Sequence, residues 1–146
     1  MGFLIFTAEN FLLGIAQVPI LDDLAEHTKT LYRDLLMQLG SNTLCRIWNY
    51  VPAINDSRAG GLENYRAFCR GRALAFESML GRDFEPRLCA ASAVGTDSNL
   101  LTVAFAAHQS SSTAFENPLQ VPAYSYPELY GPRPPSFARA SIVPQP

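Results

Sequence analysis

The chain has 146 residues, of which 48% are hydrophobic and 16% are charged, and its 11 basic and 13 acidic residues give a net charge of -2 at pH 7. This length and apolar content suit one globular domain with a buried core and exclude a disordered chain, which needs low hydrophobicity and high net charge. Near neutrality also argues against nucleic-acid and membrane-surface partners, because both depend on a strong positive field.

The cysteines and the N-terminal stretch indicate the compartment. Cys45, Cys69 and Cys89 are widely separated and form no CxxC motif, which favours free thiols over a disulfide framework or a zinc site. The apolar stretch 3–18 is interrupted by Glu9 and has no basic region before it, so it predicts neither a secretory signal nor a membrane span. We therefore expect a cytoplasmic protein.

The first half of the chain predicts a strand, a helix and a second strand. An apolar run at 11–16 is typical of a strand, and apolar residues repeat at helical spacing from Leu21 to Leu39, where Gly40 is placed to end the helix. The alternating, aromatic-rich run 44–51 predicts the next strand.

The second half predicts one more helix and two more strands. The helix covers 62–80, and strands at 88–94 and 100–107 are separated by a turn at 95–99, so we expect those two strands to pair as a hairpin. The fold class that follows is α/β (α+β), with a mixed sheet and two helices packed on one face.

Proline content divides the chain into two regions. Eight of the eleven prolines lie between Pro118 and Pro146, so this region cannot form a regular helix or a central strand. We predict a globular domain over 1–113 and an extended Pro/Tyr-rich arm over 114–146. The run 132–135 (PRPP) fits a polyproline ligand for an aromatic groove or a packed arm.

Common catalytic motifs are missing from the sequence. It contains no HExxH, GxxxxGK[ST], GxGxxG or GxSxG pattern, and its two histidines, His27 and His108, are isolated. Arg66, Arg70 and Arg72 form a basic patch on the second predicted helix. Because acidic residues dilute this patch and the chain is net acidic, we interpret it as a solvated helix face.

The proline-rich region carries a composition that linkers rarely have. Between 116 and 139 it holds Tyr124, Tyr126, Tyr130, Arg133 and Arg139. Phenol hydroxyls and guanidinium forks together suit a small carboxylate, because arginine can bind both carboxylate oxygens at once. This region is therefore the candidate binding site.

Several separate blocks, in the same order, resemble the chorismatase family of bacterial secondary metabolism, which is also labelled pteridine-dependent deoxygenase. They are 48–55 (WNYVPAIN), 61–72 (GLENYRAFCRGR), 116–118 (ENP), 126–127 (YP) and 130–140 (YGPRPPSFARA). The resemblance extends over about 11–140, nearly the whole chain.

The resemblance implies a fold, a reaction and two site residues. The fold is a RidA/chorismate-mutase-like domain that the family uses twice in one polypeptide. The reaction removes the enolpyruvyl group of chorismate as pyruvate and leaves a dihydroxycyclohexadiene carboxylate or a hydroxybenzoate, without metal or cofactor. The family's substrate-binding tyrosine and arginine fall on Tyr126 and Arg139, and chorismate or a related small dicarboxylate is the implied partner.

The chain departs from the family pattern at its end. The family places the glutamate that protonates the substrate in a second RidA-like half, so we assign no catalytic residue here and expect the isolated chain to be inactive. The alternative is a non-catalytic, self-associating ligand-binding or assembly module, a possible homo-oligomer. A RidA-like imine hydrolase has less support, because its carboxylate-binding arginine cannot be placed.

Overall fold

The computed structural model describes residues 2–58 and 60–144. In chain order the elements are β1 (Leu4–Ala8), β2 (Phe11–Pro19), α1 (Leu24–Gln38), β3 (Thr43–Pro52), α2 (Asn64–Leu80), β4 (Ala90–Thr96), β5 (Leu100–His108), β6 (Thr113–Phe115) and β7 (Ala140–Ile142). Five strands form a mixed sheet in the order β1-β2-β5-β3-β4, and β6 pairs with β7 in a separate ribbon.

The chain begins with a hairpin that the sequence did not predict. β1 pairs antiparallel with β2, which runs three residues beyond the predicted strand 11–16. Glu9 makes the turn with φ of 52°. Such turns usually carry Gly, Asn or Asp at the left-handed positions, so a glutamate there hides the hairpin in the sequence.

Helix α1 lies close to its prediction. It begins at Leu24, because the Asp23 side chain accepts a hydrogen bond from the Glu26 amide (3.1 Å) and caps the first turn. Leu21, expected on the buried face, is instead 81% exposed before the helix. Gly40 adopts φ of 55°, which confirms the predicted left-handed end of the helix.

The predicted hairpin of the last two long strands is wrong. β4 pairs parallel with β3 at the sheet edge, whereas β5 lies between β2 and β3 and is antiparallel to both. α2 makes the crossover between the two parallel strands. The alternate residues Leu101, Val103 and Phe105 of β5 are fully buried, as expected for a strand that lies between two other strands of the sheet.

One hydrophobic core lies between the sheet and the two helices, which pack against each other on the same face. This confirms the predicted mixed sheet with two helices on one side. Cys45, Cys69 and Cys89 are buried free thiols, as expected. Neither described helix has the length and apolar character needed to cross a membrane.

The other face of the sheet is not covered by any described element. We call it the open sheet face, and its exposed apolar residues are Leu4, Phe6, Leu13, Ile15, Trp48, Tyr50 and Val94. The strand register places them on one side, since Leu4 lies opposite Ile15 and Trp48 lies opposite Ala104, which itself is opposite Ile15.

The proline-rich region forms neither a long helix nor a strand of the main sheet. It contains short 3-10 turns at Ala123–Ser125 and Glu128–Tyr130 and then β7. Arg133 binds Glu77 of α2 at 2.9 Å, and Pro135 is buried, so this run packs on the domain. The division at 113/114 and the role of 114–146 as an arm stay predictions.

Candidate functional site

The β6–β7 ribbon places an acid and a base side by side. Phe115 and Ala140 are paired residues at one end of this antiparallel ribbon. Glu116 and Arg139 each lie one residue beyond that pair, on opposite strands. Their side chains therefore meet, with Arg139 Nε 4.0 Å from Glu116 Oε2.

Tyr126 completes the cluster from the proline-rich region. It ends the 3-10 turn that starts at the fully buried Ala123, and its amide donates a hydrogen bond to the Ala123 carbonyl (3.2 Å). From this position its hydroxyl oxygen accepts a hydrogen bond from Arg139 Nη2 at 2.8 Å. The structure thus brings together the two predicted site residues, Tyr126 and Arg139, across 13 positions of sequence.

The cluster has unused hydrogen-bonding capacity. Arg139 Nε and Glu116 Oε1 are both buried and make no hydrogen bond within residues 2–58 and 60–144. The Arg139 side chain is 30% exposed, so a ligand can reach it. A guanidinium that keeps a free N–H and is partly open to solvent is suited to bind a carboxylate in place of, or beside, Glu116.

Arg139 is also anchored by its neighbours in the chain. The Ala138 amide donates a hydrogen bond to the Cys89 carbonyl (2.9 Å), and Ala138 forms a parallel bridge with Ala90 at the start of β4. The Arg139 guanidinium carbon lies 5.6 Å from the centre of the Phe137 ring. The arginine is therefore held between the sheet edge and an aromatic ring.

One arginine of the predicted basic patch is not on a solvated face. Arg70 is exposed and Arg66 is half-buried in an ion pair with Glu63 (3.7 Å), but Arg72 is 2% exposed. The solvated-face interpretation is wrong for Arg72, because residues four apart share one side of a helix and Arg72 lies four after the buried Phe68.

The two histidines have local structural partners. His27 Nδ1 lies 2.8 Å from the Asp23 carbonyl oxygen at the start of α1, and its side chain is 29% exposed. His108 is buried at the end of β5, where its Nδ1 accepts a hydrogen bond from the Ser110 amide (3.0 Å). In the part of the chain that the structure describes, no three His, Cys, Asp or Glu side chains gather as metal ligands do.

Fold and cluster together define an α/β domain with a candidate carboxylate site at the end of a short ribbon. The chain belongs to the FkbO/Hyg5-like chorismatase family, because the model of that family's N-terminal region matches residues 3–107.

Known relatives and a solved structure agree with this assignment. A chorismatase of Streptomyces rapamycinicus is 40% identical over 94% of this chain and 42% of its own length. A 3-hydroxybenzoate synthase of Streptomyces hygroscopicus is 41% identical over 88% of this chain and 38% of its own. A chorismatase crystal structure superposes with a TM-score of 0.90 at 36% identity, covering 98% of this chain and 44% of that one. The chain thus spans about two fifths of the length of these relatives.

Sequence reasoning missed two residues of this region. Glu116 was part of a matched block, but nothing in the sequence indicates that it lies opposite Arg139 at the end of the β6–β7 ribbon. Arg72 left a signal, since Phe68, Arg72 and Phe76 follow one another at intervals of four residues on a helix. That spacing places the arginine on the apolar stripe rather than opposite it.

Proposed function

We propose that this chain is the N-terminal, substrate-binding part of a chorismatase-like enzyme. In the complete enzyme the enolpyruvyl ether of chorismate is hydrolysed to pyruvate and a dihydroxycyclohexadiene carboxylate, or cleaved without net uptake of water to pyruvate and a hydroxybenzoate. The observation that carries the proposal is the contact between Arg139 and Tyr126 at 2.8 Å, in a chain of the chorismatase family. The division into a globular part, 1–113, and an arm, 114–146, that leads to a second half belongs to the same proposal.

The chemistry divides between binding and proton transfer. Hydrolysis of an enol ether begins when an acid protonates the terminal methylene carbon, after which water adds to the adjacent carbon and the hemiketal releases the ring alcohol and pyruvate. Arg139 and Tyr126 bind a carboxylate of the substrate and orient it. The acid itself is the glutamate that the family places in its second half.

A cytoplasmic location is part of this proposal. Cys45, Cys69 and Cys89 are free thiols, the state that a reducing compartment maintains.

Titration of the 146-residue chain with chorismate tests the proposal. We expect calorimetry to detect binding, and Arg139→Ala to weaken it about 10- to 100-fold, because a charge-assisted hydrogen bond contributes about 1.5–3 kcal/mol. Tyr126→Phe should weaken it less, since the arginine remains. Coupled detection of pyruvate should show no turnover by the isolated chain.

The matched control is Arg82→Ala, which removes an exposed arginine after α2 and should leave the affinity unchanged. Equal affinities of the wild type and Arg139→Ala would contradict the assignment of the site. Pyruvate release by the isolated chain at the rate of a full-length relative would contradict the assignment of the acid to the second half.

The open sheet face favours a second candidate function, a self-associating module without catalysis. A soluble monomer rarely leaves a contiguous apolar surface of this kind exposed. Phe6 is 52% exposed and Leu4 is 61% exposed on this face. Mass measurement by light scattering separates the monomer from the oligomer, and chorismate titration separates a ligand-binding module from a scaffold.

A further inference from the structure

A second arginine lines a cavity beside the candidate site. The cavity, of about 460 Å³, lies between α2, β4 and the residues before β7, and Arg72 is part of its wall. Its volume is in the range of small-molecule sites, about 300–1,000 Å³. Arg72 is 2% exposed, so this is a buried cation facing an empty space.

The charge of Arg72 has no anionic partner in the described residues. No carboxylate among 2–58 and 60–144 forms an ion pair with it. The nearby Tyr32 and Cys69 are neutral at pH 7, because burial raises the pKa of Tyr32 to about 12 and raises that of the Cys69 thiol as well. Burying a charge without a partner destabilises a protein, so the retention of Arg72 at this position requires a reason.

Aromatic rings compensate part of this cost. The Arg72 guanidinium carbon lies 5.1 Å from the centre of the Phe68 ring, 5.9 Å from that of Tyr32 and 6.0 Å from that of Phe137. Such contacts stabilise a cation, because the faces of aromatic rings carry partial negative charge. They leave Nε of Arg72 buried without a hydrogen-bond partner in the part of the chain described.

The walls of the cavity indicate the shape of a ligand. Tyr65 and Phe137 provide aromatic surfaces in the cavity wall. Ala91 and Ala93 of β4 also line the cavity, and their small side chains leave space for a ligand. A flat ring fits between aromatic surfaces of this kind, and a carboxylate on that ring can accept hydrogen bonds from the guanidinium fork.

We propose that Arg72 is the anchor of a pocket for a small acid whose carboxylate is attached to a flat six-membered ring. The proposal deepens the proposed function and rests on it for the identity of the natural ligand. Chorismate carries two carboxylates, and the Arg72 and Arg139 guanidinium carbons both lie within 6.0 Å of the Phe137 ring centre. In this assignment the ring carboxylate binds Arg72 and the enolpyruvyl carboxylate binds Arg139.

Benzoate and benzamide, which differ in charge but hardly in shape, test the pocket on the 146-residue chain. We expect benzoate to bind at least ten-fold more tightly than benzamide, as measured by calorimetry or by ligand-observed NMR. Arg72→Met should weaken benzoate binding at least ten-fold. Arg70→Ala, which removes an exposed arginine on the same helix, should leave it within about two-fold.

A second pair of variants keeps the test independent of folding. If Arg72→Met fails to fold by circular dichroism, Arg72→Lys retains the charge without the fork and should still weaken benzoate binding. Ala93→Phe fills the cavity while leaving Arg72 in place, and it should abolish benzoate binding.

Two outcomes would overturn the proposal: equal binding of benzoate and benzamide, or undiminished benzoate binding by both Arg72→Lys and Ala93→Phe. Failure of the proposed function looks different. In that case chorismate does not bind, or binds independently of Arg139, while benzoate still binds in an Arg72-dependent way.

Discussion

Tyr32 and Asn49 form a polar contact in the centre of the core. The Tyr32 hydroxyl donates a hydrogen bond to Asn49 Oδ1 at 2.5 Å, and Asn49 Nδ2 donates one to the Ser92 carbonyl at 2.9 Å. Both side chains are almost completely buried. This chain of hydrogen bonds joins α1 to β3 and β4, so it fixes the position of the helix over the sheet as well as satisfying the buried groups.

Tyr32 gives the protein a stability that alkaline pH removes. Burial raises its pKa to about 12, and burial also raises the pKa of Cys89 to about 12. Below the pKa values of the unfolded chain, about 8.5 for a thiol and about 10 for a phenol, this stability is fully present. Above them the unfolded chain ionises first, so the free energy of unfolding should fall as the pH approaches 12.

Urea unfolding at pH 7, 9 and 10.5 measures this fall. Tyr32→Phe should cost about 1–2 kcal/mol at pH 7, because Asn49 Oδ1 loses its donor, and should make the decline above pH 10 shallower. Tyr130→Phe, an exposed tyrosine, is the control and should change neither value. An identical alkaline slope in Tyr32→Phe would contradict the assignment.

At this scale the sequence predicted the pair of site residues but not its surroundings. Tyr126 and Arg139 followed from the family resemblance. Glu116 could not be found, because its contact depends on the pairing of β6 with β7, two three-residue strands too short to leave a periodic pattern. Arg72 was predicted to lie on a solvated helix face because of its charge. Its position on α2, four residues after the buried Phe68, places it in the core instead.

Helices α1 and α2 approach each other closely at Gly71. A Cβ atom at this position would lie 2.1 Å from the Ala25 carbonyl oxygen and 2.8 Å from Thr28 Cβ. Because the first of these atoms belongs to the backbone, no side-chain rotation can relieve the clash. The glycine therefore sets the distance between the two helices at this point.

Gly71→Ala tests this contact. The higher helix propensity of alanine should add about 1 kcal/mol, but overpacking against α1 should cost more, leaving a net loss of about 1–2 kcal/mol in the free energy of unfolding. Arg70→Ala, on the exposed side of the same turn, should change stability by less than about 0.5 kcal/mol. A Gly71→Ala protein more stable than the wild type would show that the helices separate without cost.

The two helices and the four longest strands could be predicted from the sequence, but β1, β6, β7 and the pairing of the strands could not. Both helices appeared because each repeats its apolar residues at helical spacing over four or more turns. The turn at 95–99 predicted a hairpin of β4 and β5. Local sequence cannot show whether the strand after a turn pairs with the strand before it or, as here, with two other strands of the sheet. The nearly continuous apolar run of β5 (LLTVAFAA) is the sequence signal that favours a buried, central strand.

The whole molecule has one packed face and one open face. We expect the open sheet face to bind a second copy of this chain, because it exposes large apolar side chains on β1, β2, β3 and β4. Light scattering after size exclusion should give a mass above that of the 16.0 kDa monomer. Ile15→Glu combined with Trp48→Glu should return it to the monomer, since each introduces an unpaired charge.

Leu119→Glu is the matched control for this experiment. Leu119 is 91% exposed but lies in the proline-rich region, away from the open sheet face. Its substitution should leave the mass unchanged. A monomeric wild-type chain, or an oligomer that survives both charges on the face, would contradict the prediction.

The attachment of Ala138 to the sheet edge makes Phe137 and Arg139 parts of one segment that is held or released as a unit. The Ala138 amide donates to the Cys89 carbonyl at 2.9 Å, and the Ala90 amide donates to the Ser141 hydroxyl at 2.8 Å. Breaking these two bonds would release Phe137 and Arg139 together. Hydrogen exchange at these amides therefore reports how often this segment opens, and a ligand bound to both arginines should slow the exchange of both amides together.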